Sequence, residues 1–202
     1  KNYAQKSASH ENHPLSETNT SHPSWCRKAT TVARPFSGEG PATVTIITPT
    51  YQRNPDIVQR NIACIRAQTY PFWRHIICSD GVFEKPVYDL VLREGDARRT
   101  YCVAERHYGD FANSVRHEML TKHADTEYVL FYDDDNIILP NYLEKMIGAL
   151  EHTVNGEQFV ICQLMHFGPV IKSLGEPPVL LQGMPKVKHI DTLQVLAKTK
   201  AM

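Results

Sequence analysis

FYDDDNIILP, residues 131–140, closes an apolar strand pattern, EYVLFYD (127–133), on three consecutive aspartates. An apolar pair, a proline and a new helical pattern, PNYLEKMIGALEHTV (140–154), follow. Adjacent carboxylates repel one another, so gathering Asp133, Asp134 and Asp135 at a strand end needs a cause. In open α/β sheets ligands bind in the crevice at the carboxyl ends of the strands. Residues two apart at a strand terminus point the same way, so Asp133 and Asp135 can face one cleft while Asp134 points elsewhere. Carboxylate oxygens are hard ligands suited to Mg2+ or Mn2+, and a divalent ion would relieve the repulsion. The competing reading is an acidic loop before a helix, where Asp is favourable near the N-terminus. The strand context weighs towards a site.

Outward from this stretch the chain alternates. TVTIITPTY (43–51) is β-rich, and NPDIVQRNIACIRAQ (54–68) reads as a helix capped by Asn54, with Pro55 at its first position. Ile57, Val58, Ile62 and Ile65 form its apolar face. RHIICSDG (74–81) and TYCVAE (100–105) are the second and third strands. DFANSVRHEMLTKHA (110–124) reads as a helix with Phe111, Val115, Met119 and Leu120 on one side, and QFVICQLMHF (158–167) as a fifth strand. Such alternation predicts an α/β fold: a mostly parallel sheet with helices on both faces. GPVIKSLGEPPVLLQG (168–183), with its Gly and Pro turns, predicts a small C-terminal hairpin region.

The 202 residues suffice for one sizeable domain, and 42% hydrophobic with 22% charged residues is an ordinary globular balance. Acidic and basic residues number 22 each, which argues against a nucleic-acid partner. No apolar run reaches the roughly 18–20 residues of a transmembrane segment. The cysteines at 26, 64, 78, 102 and 162 are odd in number and follow no zinc spacing; Cys78, Cys102 and Cys162 lie in apolar strand-like runs, so buried free thiols and a cytoplasmic setting, peripheral to a membrane at most, are expected. Residues 1–41 are polar, rich in Ser, His, Asn, Thr and Pro, and predict an arm or tail whose His10, His13 and His22 are solvated side chains. The folded domain is expected over 42–202.

Four polar stretches fall at strand ends: TPTYQR, SDG, AERHYGD and YDDDN. VTIITPTYQRN, SDG, the Gly109–Asn113–Arg116 stretch and FYDDDNIILPNYL occur in the order seen in GT-A fold glycosyltransferases, and the chain resembles family 2 of these over about 43–145, more loosely to about 195. The resemblance implies a Rossmann-like GT-A fold, a nucleotide-sugar donor with UDP preferred and GDP or dTDP open, and Mn2+ or Mg2+. It implies that Pro49, Thr50, Tyr51 and Arg53 line the nucleoside pocket and that Asp80 accepts from the base edge. It places Arg116 near the nucleotide, Asp133 at the ribose, Asp134 in the middle position and Asp135 on the metal. His117 stands where the family pattern has asparagine after the arginine.

The implied reaction is hexosyl transfer, with inversion, to an acceptor hydroxyl on a glycan, a lipid-linked or a protein-linked molecule. A carboxylate would serve as general base. No Glu-Asp pair follows the last core strand, and Asp191 is the sole carboxylate after Glu176. Asp191 is the candidate base, with His189 a lesser candidate for acceptor or metal contact. Failing Asp191, the base lies outside the chain, which then reads as a catalytic domain truncated at its C-terminus. The alternatives are a non-catalytic nucleotide- or glycan-binding module of the same fold, and a haloacid dehalogenase-type phosphatase. The latter also uses aspartates spaced by one, but near the start of its domain.

Overall fold

The β-branched run after Thr43 forms the first and most deeply buried strand of the sheet, β1 (Val44–Thr50), in the computed structural model, which describes residues 43–167, 178–181 and 192–202. All the described residues fall in one compact unit. The polar arm, Cys26, most of the expected hairpin region, His189 and Asp191 lie outside them.

Parallel to β1 on one side runs β2 (Trp73–Ser79), and beyond it β3 (Arg99–Val103); on the other side runs β4 (Tyr128–Phe131). The four helices are α1 (Pro55–Arg66), α2 (Lys85–Glu94), α3 (Asn113–His123) and α4 (Tyr142–Glu151). Adjacent β1 residues serve opposite faces, as the period-2 pleat requires. Ile46 packs with Leu143, Met146 and Ile147 of α4, whereas Ile47 packs with Val115 and Met119 of α3. Ile77 faces Val58 and Ile62 of α1 and Val87 and Leu90 of α2. Helices therefore cover both faces. Each such Ile, Leu or Val contributes about 1.5–3 kcal/mol by leaving water.

Four features differ from expectation. Helix α2 was not foreseen, although Pro86 near its start and Val87, Leu90 and Val91 at helical spacing are its signals. The expected single fifth strand is two: β5 (Phe159–Ile161) and β6 (Leu164–His166). Between them Cys162 exchanges hydrogen bonds with Gln194, N–H to O at 2.9 Å and O from Nε2 at 2.8 Å, and the chain leaves the main sheet there. β6 pairs antiparallel with β7 (Val179–Leu181) in a separate two-stranded ribbon. The C-terminal stretch returns as β8 (Val195–Lys198), antiparallel between β4 and β5, giving the order β3-β2-β1-β4-β8-β5. Finally, Phe111 precedes α3 and is exposed rather than on its packed side.

Candidate active site

The chain crosses from β1 to β2 on one side and places β4 on the other, so β1 and β4 diverge at the switch point of the sheet. The last register pair is Ile47 with Phe131, and the Tyr132 N–H still donates to the Ile47 carbonyl at 2.9 Å. Asp133–Asp135 therefore leave the sheet beside Thr50–Arg53. Tyr132 is fully buried and its hydroxyl donates to the Asn136 carbonyl at 2.8 Å. Helix α1 clamps the same turn: Asn61 Nδ2 donates to the Asp133 carbonyl, and Arg60 Nη2 to the Asp135 carbonyl, each at 3.0 Å. Arg60 and Asn61 escaped the sequence reading. Their one signal is a pair of polar residues between two apolar turns of a helix.

The three carboxylates are held apart by partners. Asp133 takes Arg116 Nη2 on Oδ1 and Thr192 Oγ1 on Oδ2, the latter at 3.1 Å. Asp134 is buried and accepts Arg53 Nε on both oxygens, at 3.0 and 3.1 Å. Burial pushes the Asp134 carboxyl above its ordinary range against the opposing pull of Arg53. Burial also works against the Arg53 cation, but Asp134, Asp135 and Asp133 overrule it and raise the guanidinium. Asp135 receives Arg53 Nη2 at 3.2 Å and has 51% of its side chain exposed. The repulsion is thus relieved by two arginines.

Among the described residues, no three His, Cys, Asp or Glu side chains gather as a ready-made metal cage. The donor set still fits a hard cation of the kind that keeps one protein carboxylate and completes its shell with phosphate oxygens and water. Asp135 is the most exposed of the three carboxylates and has one oxygen on Arg53, whereas Asp133 and Asp134 have both oxygens engaged.

A second wall rises from β2 and β3. Pro49 and Thr50 are buried in β1 opposite Cys78 and Ser79, and the Thr50 carbonyl accepts the Asp80 N–H at 3.0 Å. The Asp80 side chain is buried and turned to the loop after β3, accepting the Tyr108 N–H at 2.8 Å and the Gly109 N–H at 3.1 Å. Tyr51 is 41% exposed at the rim. Gly81 has φ +70°, and a Cβ there would lie 2.0 Å from the His107 nitrogen, so the close approach of the two loops requires glycine.

At the start of α3, Phe111 and Ala112 both take left-handed backbone angles, φ 58° and 63°. Non-glycine residues pay for this with strain, offset here by local bonds. Asp110 accepts the Ser114 N–H and hydroxyl, and Arg116 Nη1 donates to the Phe111 carbonyl at 2.9 Å. One guanidinium thus joins this bend to Asp133. The structure brings Tyr51, Arg53, Asp80, Arg116 and the three aspartates to one edge of the sheet. No helix among the described residues is long and apolar enough to cross a membrane.

Comparisons with known proteins agree with this architecture. The family model described as "Glycosyl transferase family 2" matches residues 45–179. A comparison with curated proteins finds no match. Among solved structures, S. aureus TarS 1-349 aligns with TM-score 0.57 and 16% identity, over 78% of this chain and 47% of that one. The same protein in complex with UDP-GlcNAc gives 0.56 and 14%, over 78% and 45%. The mannosyltransferase PcManGT from Pyrobaculum calidifontis, in complex with GDP-Man and Mn2+, gives 0.50 and 19%, over 61% and 36%. The likeness is one of fold, and it is the GT-A fold. The chain spans less than half the length of each of these structures.

Proposed function

The chain belongs to glycosyl transferase family 2, and from that premise we propose that it moves a sugar from a nucleoside diphosphate donor, a UDP-sugar by preference, to an acceptor hydroxyl with inversion. The observation that carries this reading is the gathering, at the β1/β4 switch point, of Asp133, Asp134 and Asp135 with two arginines, Arg53 on Asp134 and Asp135 and Arg116 on Asp133, next to the partly exposed Tyr51 at the end of β1. Family membership removes the phosphatase alternative. TarS with UDP-GlcNAc supports the choice of UDP, while the mannosyltransferase with GDP-Man keeps GDP in the test.

In this reading Tyr51 stacks on the base, and Asp80 shapes that end of the pocket through the loop it holds. Pro49 and Thr50 set the direction in which Tyr51 and Arg53 leave the sheet. Arg53 and Arg116 supply positive charge beside the diphosphate. Asp133 approaches the ribose, and Asp134 fixes Arg53. Asp135 would hold Mn2+ or Mg2+, which when bound neutralises charge building on the diphosphate leaving group. The acceptor hydroxyl must lose a proton as its oxygen attacks the anomeric carbon, and a carboxylate is the fitting base. Asp191 remains the candidate. It lies outside the described residues, and its neighbour in the chain, Thr192, donates to Asp133.

The test is a thermal-shift screen of UDP-, GDP- and dTDP-sugars with and without Mn2+, followed by assay of sugar release. A ligand that binds only the folded state raises its melting temperature. Metal-dependent stabilisation with slow sugar release supports a transferase. Stabilisation without turnover assigns a binding module, and no stabilisation by any donor overturns the reading.

A further inference from the structure

His107 belongs to none of the motifs that carry the family resemblance, yet it touches two of them. Its ring stacks on Tyr51, with centroids 4.5 Å apart and planes 20° from parallel. Its Nδ1 lies 3.0 Å from Asp80 Oδ2 and 3.3 Å from the Asp80 carbonyl. Both neighbours are acceptors, so Nδ1 carries a proton and donates it. The next two residues, Tyr108 and Gly109, give their N–H groups to the same carboxylate. Three successive residues thus wrap one buried side chain at the end of β2.

The wrap is fixed from both sides. The missing side chain at Gly81 lets the His107 backbone sit against β2's terminal turn. Glu118 of α3 accepts the Glu105 N–H at 3.3 Å and the Tyr108 hydroxyl at 3.0 Å, and an ion pair with Lys122 holds it in turn. The imidazole is therefore a placed group, and the ring it backs is Tyr51, which stays two-fifths exposed. A planar ring stacked on a second ring and still two-fifths exposed suits a nucleobase, because stacking needs only a flat π-face.

We propose, resting on the reading of this edge as a nucleotide-sugar site, that His107 is a positioning residue for the base: it backs the Tyr51 ring and ties it, through Asp80, to the end of β2. Tyr51 then meets the base of a nucleoside diphosphate as a fixed plane. The diphosphate end, at Arg53 and Asp135, is independent of this support.

The experiment is calorimetric titration of UDP, GDP and inorganic pyrophosphate, each with Mn2+, into wild type, H107A, H107F and H107N, with thermal melting of all four. H107A should weaken the nucleoside diphosphate that wild type binds by about tenfold, a stacking-sized effect, and leave pyrophosphate within about twofold. H107F keeps a ring against Tyr51 and should recover most of the loss; H107N keeps a hydrogen bond to Asp80 without the ring and should not. A purely structural role would lower pyrophosphate affinity and melting temperature together, and would overturn the proposal. So would unchanged nucleotide affinity in H107A, or recovery by H107N but not H107F. Wild type that binds pyrophosphate but neither UDP nor GDP would instead overturn the nucleotide reading of the site.

Discussion

Arg53 and Asp134 are joined through one nitrogen: the Arg53 Nε lies 3.0 Å from one carboxylate oxygen of Asp134 and 3.1 Å from the other, while Nη2 of the same guanidinium reaches Asp135. This fork divides the work of the aspartates. Asp134 is buried beneath the guanidinium, whereas Asp135 keeps half of its side chain exposed and has Arg53 on one oxygen.

The division predicts opposite phenotypes. D134A should lower stability by about 1–2 kcal/mol, the worth of charge-assisted hydrogen bonds discounted for the exposed half of Arg53. D135N should stay within about 0.5 kcal/mol of wild type, as exposed surface substitutions do. Urea denaturation of both variants measures the pair. Equal losses would show that the two carboxylates are not so divided.

Asp80 is predicted to act first on the loop it holds. In D80A the N–H groups of Tyr108 and Gly109 lose their acceptor, and their hydrogen exchange should speed up by about tenfold, the loss of one ordinary hydrogen bond. Nucleotide affinity should fall while metal preference stays the same. Unchanged exchange at these two amides would contradict the tether.

Two glycines with similar angles should behave differently. Gly81 (φ +70°) has backbone atoms of Arg106 and His107 within 2.5 Å of its absent Cβ, whereas Gly95 (φ +63°) has nothing within 4 Å. G81A combines strain with a clash against backbone and should cost about 3 kcal/mol or more. G95A carries the left-handed penalty alone, about 1–2 kcal/mol. Chemical denaturation of the two variants decides it.

His75 gives the fold a pH dependence. It is fully buried between Thr48, whose Oγ1 lies 2.9 Å from Nε2, and Arg99, whose Nε donates to Nδ1 at 3.2 Å. Burial first, and the Arg99 charge second, hold it well below the ordinary value of 6.5. The unfolded chain therefore takes up a proton near pH 6.5 that the folded chain refuses. Stability is full above that pH and falls below it, by up to about 1.4 kcal/mol per pH unit. Melting curves from pH 7.5 to 5 should show the decline, and H75Q should flatten it. An unchanged slope in H75Q would remove His75 as its source.

The sequence displayed much of this. Asn54 and Pro55 announce α1, and the apolar runs before Asp80 and Asp133 announce strands whose ends share an edge. Alternation of strand and helix was enough for the α/β layering, and the motifs at the strand ends carried the resemblance to the family. What stayed hidden depends on residues brought together from afar. Asn61 meets Asp133 across 72 positions and His107 meets Asp80 across 27, and no local pattern encodes either contact. Phe111 misled because a helical period extends smoothly through it, while the two left-handed residues that turn it outward are not glycines and leave no mark in the sequence. β8 escaped because its partners in the sheet precede it by more than thirty residues on one side and sixty on the other.

The most direct test of the account is the coupling of metal to diphosphate at Asp135. Calorimetry should show wild type binding UDP distinctly tighter with Mn2+ than with EDTA, while uridine, which has no phosphates, shows almost no metal dependence. D135N should erase most of the UDP difference, because a neutral amide is a poorer ligand for a hard cation, and D134N should erase less. Equal UDP affinity with and without Mn2+ in the wild type would contradict the account, and the aspartates would then be an acidic turn neutralised by Arg53 and Arg116.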